Sequence, residues 1–412
     1  MKTLCFLLFW IWLAFRFVSD WPRGLAGSQV AVPNWSLLVS YFGLVPWLVV
    51  ATPVVMSGGR LLKLSRYDII VQAHLAFFAY QLLPYAASIA AFGAAGAIAG
   101  GYILAVSASF LFIYALGLRV GEFSAPSQLR RTTLMIKRSI GWAMAATLAI
   151  AVIQLLTGTG RDVDGVMRIY GGTSSPNVMG ALLIAYFALI APPTPGSGKA
   201  IVRPIHLIVL ALFVACFSMS GFVAALIGIA TYILLRAWRL GRLRLRLRWI
   251  PLLLVGGYVL ASLAGQIFLM RLEELGTGEN SLIWRLRTWA DYYQTLQDPR
   301  ILILGGGLGF DHLGMEQEPH NEFIRVWAEA GLIGFGLFLF TWFRFLKALF
   351  QVMALDEAHL QRFAAALIAA SVALLSWAAM DSVLRTAPSA LLLWALGGVL
   401  VGMARSYKRA IE

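Results

Sequence analysis

SLIWRLRTWADYYQTLQDPRILILGGGLGFDHLGMEQEPHNEFIRVWAEAGLIG, residues 281–334, is the longest polar interval of the chain. It carries arginines, a run of glycines and a Pro-His-Asn step, and it ends on another apolar segment. Its surroundings decide the fold. The 412 residues are 60% hydrophobic and 13% charged with a mean hydropathy of +0.79, far from the averages of a soluble domain. A helix crosses the hydrocarbon core with about 20 apolar residues, which leaves room for roughly a dozen crossings with short connections. Lipid allows only helices or closed barrels to satisfy the backbone, and these apolar segments are too long for barrel strands. The expectation is an all-α integral membrane protein, residues 1–412 forming one polytopic domain with about twelve transmembrane helices.

Working outward, 269–330 reads as one large loop between the ninth and tenth crossings, followed by Leu332–Leu349, Phe363–Met380 and Ser389–Met403. Before it lie Ile250–Phe268 and a helical pair at His206–Ser220 and Gly221–Leu235. Further back come Pro176–Ile190, Ile140–Leu156, Gly100–Leu118, Ile69–Ala90, Ser36–Met56 and Leu4–Val18. No small-residue cleavage site follows Leu4–Val18, which therefore reads as a retained helix rather than a signal peptide. A second polar loop, GTGRDVDGVMRIYGGTSSPN, spans 158–177.

Positive charge sets the orientation. With the N-terminus in the cytoplasm, alternate loops place most of the 33 Lys and Arg, and few of the 19 acids, on the cytoplasmic side. Both termini are then cytoplasmic, while the loops 158–177, 269–330 and Asp381–Pro388 face outward. The net charge of +14 is thus mainly a topology signal. The comb from Arg236 to Arg248 fits a stop-transfer or headgroup anchor better than a nucleic-acid surface. Cys5 and Cys216 both fall in apolar segments, which suggests neither a disulfide framework nor a thiol metal site.

Outside the cytoplasm there is no ATP and no nucleotide sugar, so an enzyme on that face needs a donor already activated, such as a lipid-linked diphosphate. A pyrophosphate leaving group calls for cationic, bidentate donors, a role that suits arginine better than lysine. Arg168 in MRIYGG, and Arg285 and Arg287 in WRLRTW, sit beside turn-forming or aromatic residues; Arg161, Arg271, Arg300 and Arg385 face outward without such surroundings. A single loop arginine is more often an interfacial anchor, but two loops offering arginine to one face point to an anion site. His320 is the sharpest single candidate. Pro319 favours the first turn of a helix, so His320 is expected at a helix start, where the positive dipole end keeps the ring neutral and able to accept a proton. Asn321 is an expected orienting partner, with Glu322 or Glu329 as a second. His312 has neither the spacing of a helical zinc pair nor an acidic cluster beside it, and no metal is expected. The glycines from Gly305 to Gly309 lack the Gly-Lys-Ser/Thr of a phosphate loop and read as a tight turn that lets backbone approach a ligand or a neighbouring helix. A transporter for lipid-linked sugars ranks low, because the acids cluster in loops and the crossings are almost free of them.

His320-Asn321, followed after nine residues by Gly331-Leu332-Ile333-Gly334, resembles the signature of bacterial O-antigen ligases. Their superfamily also holds O-antigen polymerases and protein O-oligosaccharyltransferases. The Arg-Leu-x-x-Trp step at Arg285–Trp289, Pro299 before a glycine-rich turn with Gly307, Gly309 and Phe310, and Arg168 ahead of Pro176-Asn177 extend the likeness over essentially the whole chain. The resemblance implies a GT-C-like membrane fold and a metal-independent, inverting glycosyl transfer at the periplasmic face of the bacterial inner membrane, with no cofactor. It implies that Arg168, Arg285 and Arg287 bind the diphosphate of an undecaprenyl-diphosphate-linked glycan, and that His320 activates the acceptor hydroxyl. That acceptor would be lipid A core in a ligase, or a second lipid-linked glycan in a polymerase. One departure is Ser218-Met219-Ser220-Gly221, where the superfamily often has Ser-Arg-Gly.

Overall fold

The computed structural model describes residues 68–124, 129–163, 166–171, 173, 175–190, 204–216, 218–240, 281–315, 317–384 and 388–412, together with Leu7, Phe9 and Trp10. The crossings expected at Ser36–Met56 and Ile250–Phe268, nearly all of Leu4–Val18, the arginine comb beyond residue 240, and Arg271 and Arg385 lie outside the described residues, as do the side chains of Arg161 and His312.

Among the described residues, five helices are long and apolar enough to cross a membrane, or six if the bent pair Thr133–Trp142 and Met144–Thr157 is one span. The first, α1 (Ile69–Glu122), counts 54 residues. Straight, it would measure about 80 Å, far more than a hydrocarbon core of about 30 Å. Gly93, at φ 58 and ψ −131, reverses the chain instead. The two arms then run antiparallel: His74 Nε2 meets the Ser107 carbonyl at 2.8 Å, and the Tyr114 hydroxyl donates to Asp68 at 3.4 Å. These arms cover the segments Ile69–Ala90 and Gly100–Leu118 that the sequence reading expects to cross.

After α1 come α2 (Leu129–Thr157), a hairpin of β1 (Arg161–Val163) and β2 (Val166–Arg168), α3 (Pro176–Ile190), α4 (Pro204–Ala215) and α5 (Met219–Leu240). The C-terminal half holds α6 (Ser281–Thr295), α7 (Pro299–Leu304), α8 (Phe310–Leu313), α9 (Glu322–Met353), α10 (Ala358–Ala378) and α11 (Pro388–Ile411). Within the loop 158–177, Arg161 pairs in register with Arg168 in a short antiparallel ladder. Of the segment expected to cross at His206–Ser220, the structure describes the helix α4 over Pro204–Ala215.

The second arm of α1 packs backbone to backbone against α11. A Cβ at Gly121 would overlap the Val399 carbonyl, and one at Gly402 the Leu118 carbonyl, so only small residues permit this approach. Trp394 of α11 fills the space above, 4.3 Å from Phe345 and 5.2 Å from Trp342 between ring centroids.

α9 begins at Glu322, earlier than the expected crossing at Leu332, and breaks at Gly331, whose φ of 65 and ψ of −175 leave the helical region. A break in a buried stretch of helix leaves carbonyls that need donors. The glycine-rich turn supplies them: Gly306 N–H donates to the Ala328 carbonyl at 2.7 Å and Gly307 N–H to that of Glu329 at 3.1 Å, while the Tyr80 hydroxyl reaches Ala330 at 3.0 Å. A Cβ at Gly305 would overlap the Glu329 carbonyl, and one at Gly331 that of Ile303. The turn therefore approaches a neighbouring helix, and its glycines exist to repair the broken end of α9.

Candidate functional site

Asn321 caps α9. Its side-chain oxygen accepts from Phe323 N–H at 3.0 Å and Ile324 N–H at 3.2 Å, as asparagine does at an N-cap. Pro319 and His320 therefore precede the helix and do not form its first turn. His320 has φ 44, the one positive φ outside glycine among the described residues. A left-handed backbone costs a β-carbon-bearing residue about 1–2 kcal/mol, and such strain persists where surrounding contacts enforce it.

α6 enforces it. Trp284, Thr288, Tyr292 and Thr295 recur at helical spacing and share one face. From that face the Thr288 hydroxyl reaches Gln317 Oε1 at 3.3 Å, and the Tyr292 hydroxyl donates to the Gln317 carbonyl at 3.1 Å. Beside them the Trp289 indole N–H donates to the Pro319 carbonyl at 2.6 Å. Burial, and then the carboxylates of Asp311 and Glu329, push the Tyr292 phenol well above its usual range and keep it a neutral donor. The ring of Trp284 meets that of His320 edge-on at 5.2 Å.

The other side of the imidazole meets Asp381, just past the end of α10. His320 Nδ1 lies 3.3 Å from Asp381 Oδ1, with 38% of the histidine side chain exposed and 10% of the aspartate's. The same Oδ1 accepts from Ser382 N–H at 2.8 Å, and Oδ2 accepts from the amide of Asn177 on the first turn of α3. A carboxylate facing Nδ1 favours the tautomer with hydrogen there and the lone pair on Nε2, the nitrogen left to act as a base. Three outward-assigned segments, 158–177, 281–334 and the one starting at Asp381, thus converge at one end of the bundle.

The expected partners of His320 are engaged elsewhere. Asn321 is occupied by capping. Glu322 and Glu329 both pair with Arg325, the former through its Nη2 and the latter at 2.9 Å, in a triad whose side chains are at most 5% exposed. Gly309 N–H adds a bond to Glu329 Oε1 at 3.1 Å, and Gly307 packs on Ser88 of α1. Asp381 and Trp284 take the places the sequence reading gave to others.

The three arginines are distributed. Arg285 follows Trp284 on α6 and is half-buried, whereas Arg287 is exposed. Arg168 ends β2 and sits against the end of α4: the next N–H, from Ile169, donates to the Ala215 carbonyl at 3.2 Å, and the guanidinium acts electrostatically on Cys216. Among the described residues, the polar and ring partners of His320 are Asp381 and Trp284. At Ser218-Met219-Ser220-Gly221 the serine hydroxyl caps α5 through Gly221 N–H at 3.3 Å, and Gly221 and Gly180 both make room for Trp377.

Comparison with known proteins finds no family model that matches the chain and no curated protein that matches it.

Proposed function

We propose that the chain is an O-antigen ligase, moving a polysaccharide from undecaprenyl diphosphate to a sugar hydroxyl of lipid A core at the periplasmic face of the inner membrane. The observation that carries this reading is the chain Asn177–Asp381–His320 beside the arginine-bearing helix α6. In the proposed step His320 Nε2 takes the proton of the acceptor hydroxyl. The hydroxyl oxygen bonds to the anomeric carbon from the face opposite the phosphate, and the carbon–oxygen bond to the diphosphate breaks, undecaprenyl diphosphate leaving with the electron pair. Asp381 stabilises the imidazolium that forms, as a carboxylate does in other histidine-based sites. Arg168, Arg285 and Arg287 are assigned to the diphosphate, whose charge grows as the bond breaks. GT-C-like architecture and about twelve crossings belong to the same proposal.

A gel profile of glycans from a strain lacking the gene tests it. Unmodified lipid A core together with long polymer accumulated on the undecaprenyl carrier is the expected result. Lipid A core capped with a single repeat unit would reassign the protein to a polymerase, and unchanged glycans would remove the proposal.

A further inference from the structure

Behind the first turn of α9, between it and both arms of α1, lies a partly open cavity of about 60 Å³. Most of its wall is apolar, including Phe77, Phe338 and Trp394, yet seven polar side chains also line it: His74, Gln81 and Ser107 from α1, and Glu322, Arg325, Glu329 and Thr341 from α9. All seven are more than nine-tenths buried. Five of them, all but Glu329 and Thr341, each hold one buried atom with no hydrogen-bond partner among the described residues, namely His74 Nδ1, Gln81 Oε1, Ser107 Oγ, Glu322 Oε2 and Arg325 Nε. Buried polar atoms are rarely left unpaired, and ionisable groups inside a membrane bundle mark function more often than accident.

The chemistry of the five atoms selects the occupant. His74 Nε2 faces the Ser107 carbonyl, so that nitrogen carries the hydrogen and Nδ1 is an acceptor. Gln81 Oε1 and Glu322 Oε2 are acceptors, Arg325 Nε–H is a donor, and Ser107 Oγ is either. A bare cation would leave the arginine unmet, and an anion would leave three acceptors unmet. Only a molecule that donates and accepts satisfies the set. At about 10–15 Å³ for each water, the volume holds at least about four waters. His74 and Gln81 are two helical turns apart on one face, so the chamber extends about 10 Å along the arm.

We propose that this chamber is a hydration site, in which about four ordered waters join His74 in the bundle interior to Glu322 and Arg325 beside the Asn321 cap. The waters then form part of what fixes the helix start next to His320, and the five residues act through them as positioning groups.

A density map of the full chain in lipid nanodiscs, at a resolution that shows ordered water, tests this together with radiolytic labelling in heavy-oxygen water. Density peaks within hydrogen-bond distance of the five atoms, and heavy oxygen incorporated into Phe77 and Phe338, are expected. Gln81→Met keeps the shape and removes an acceptor; it is expected to delete at least one peak and lower the labelling several-fold while the protein still folds and inserts. A dry chamber with the five atoms paired to one another, or a single ion or lipid headgroup in it, would overturn the proposal. Labelling unchanged in Gln81→Met would do the same. Neither readout involves a glycan, so the outcome is independent of the transfer reading.

Discussion

Two carboxylate clusters sit near opposite ends of α11, about 25 Å apart along its axis by helical rise. Below Arg405, Asp68 and Glu122 are met by guanidinium groups: Arg405 reaches Asp68 at 2.5 Å and Glu122 at 3.4 Å, and Arg119 reaches Glu122 at 2.8 Å. Above Pro388, Asp381 is met by an amide, a backbone N–H and a histidine. The first cluster balances two carboxylates against two guanidinium groups. The second holds a carboxylate against a ring that can gain and lose a proton, half-open to solvent and set on a strained backbone. Nearness to His320 does not decide the class. Glu322–Arg325–Glu329 begins two residues beyond it, yet it pairs its carboxylates with a guanidinium as the first cluster does.

The sharpest break of this contrast is His320→Gly, which removes the ring and suits the left-handed backbone. Transfer of glycan to lipid A core is expected to fall on the order of 10²- to 10⁴-fold. The unfolding free energy in detergent is expected to hold or rise by about 1 kcal/mol. If stability fell in step with activity, His320 would belong with the structural clusters. Asp381→Asn keeps shape but no longer favours hydrogen on Nδ1, and a loss of about 10²-fold in kcat with little change in KM is expected from single-turnover kinetics. Arg285→Lys keeps charge and loses the bidentate fork; a loss of about tenfold or more in donor use is expected, and a fully active lysine variant would make Arg285 an interfacial anchor.

Part of this arrangement was open to inspection in the sequence. Apolar stretches separated by basic turns located the helices, because crossing lipid imposes a length and a composition that nothing else requires. The hairpin of α1 followed from two such stretches around an Ala/Gly-rich join. The glycine-rich turn was legible as a close approach, but its target was not: that depends on α9 breaking at Gly331, which the sequence offers only as the start of an apolar run. Asn321 stands just before a helix, a position that is more commonly a cap than a partner for a neighbouring ring. Arg325, three residues after Glu322 and four before Glu329, is placed to take both carboxylates away from His320. Asp381, 61 residues from His320, carries no local pattern. Only its position just past an apolar helix, on the face assigned to His320, could have singled it out.

The other side of the contrast breaks with Arg405→Leu. Arg405 is about one-third exposed while Asp68 is 2% exposed, so the loss leaves a buried carboxylate short of its cation with some access to water. A destabilisation of about 1–3 kcal/mol is expected, less than for a fully buried pair, with transfer per folded molecule unchanged. A thermal melt and a transfer assay on the same preparation check both halves. Lost activity in the folded fraction would mean that the two ends communicate.

Asn177→Ala is the smallest test and the most discriminating. Its amide donates to Asp381 Oδ2, the oxygen not facing His320, so the substitution leaves the imidazole contact and the Ser382 N–H in place. A hydrogen bond to a charged group contributes about 1.5–3 kcal/mol, and partial access of water to Asp381 recovers some of it, so kcat is expected to fall about tenfold. If Asn177 acts only by holding the carboxylate, its loss adds nothing once Asp381 is already asparagine. The double variant Asn177→Ala with Asp381→Asn should then match Asp381→Asn alone. Fully additive losses would separate Asn177 from Asp381 and give it a contact of its own with substrate.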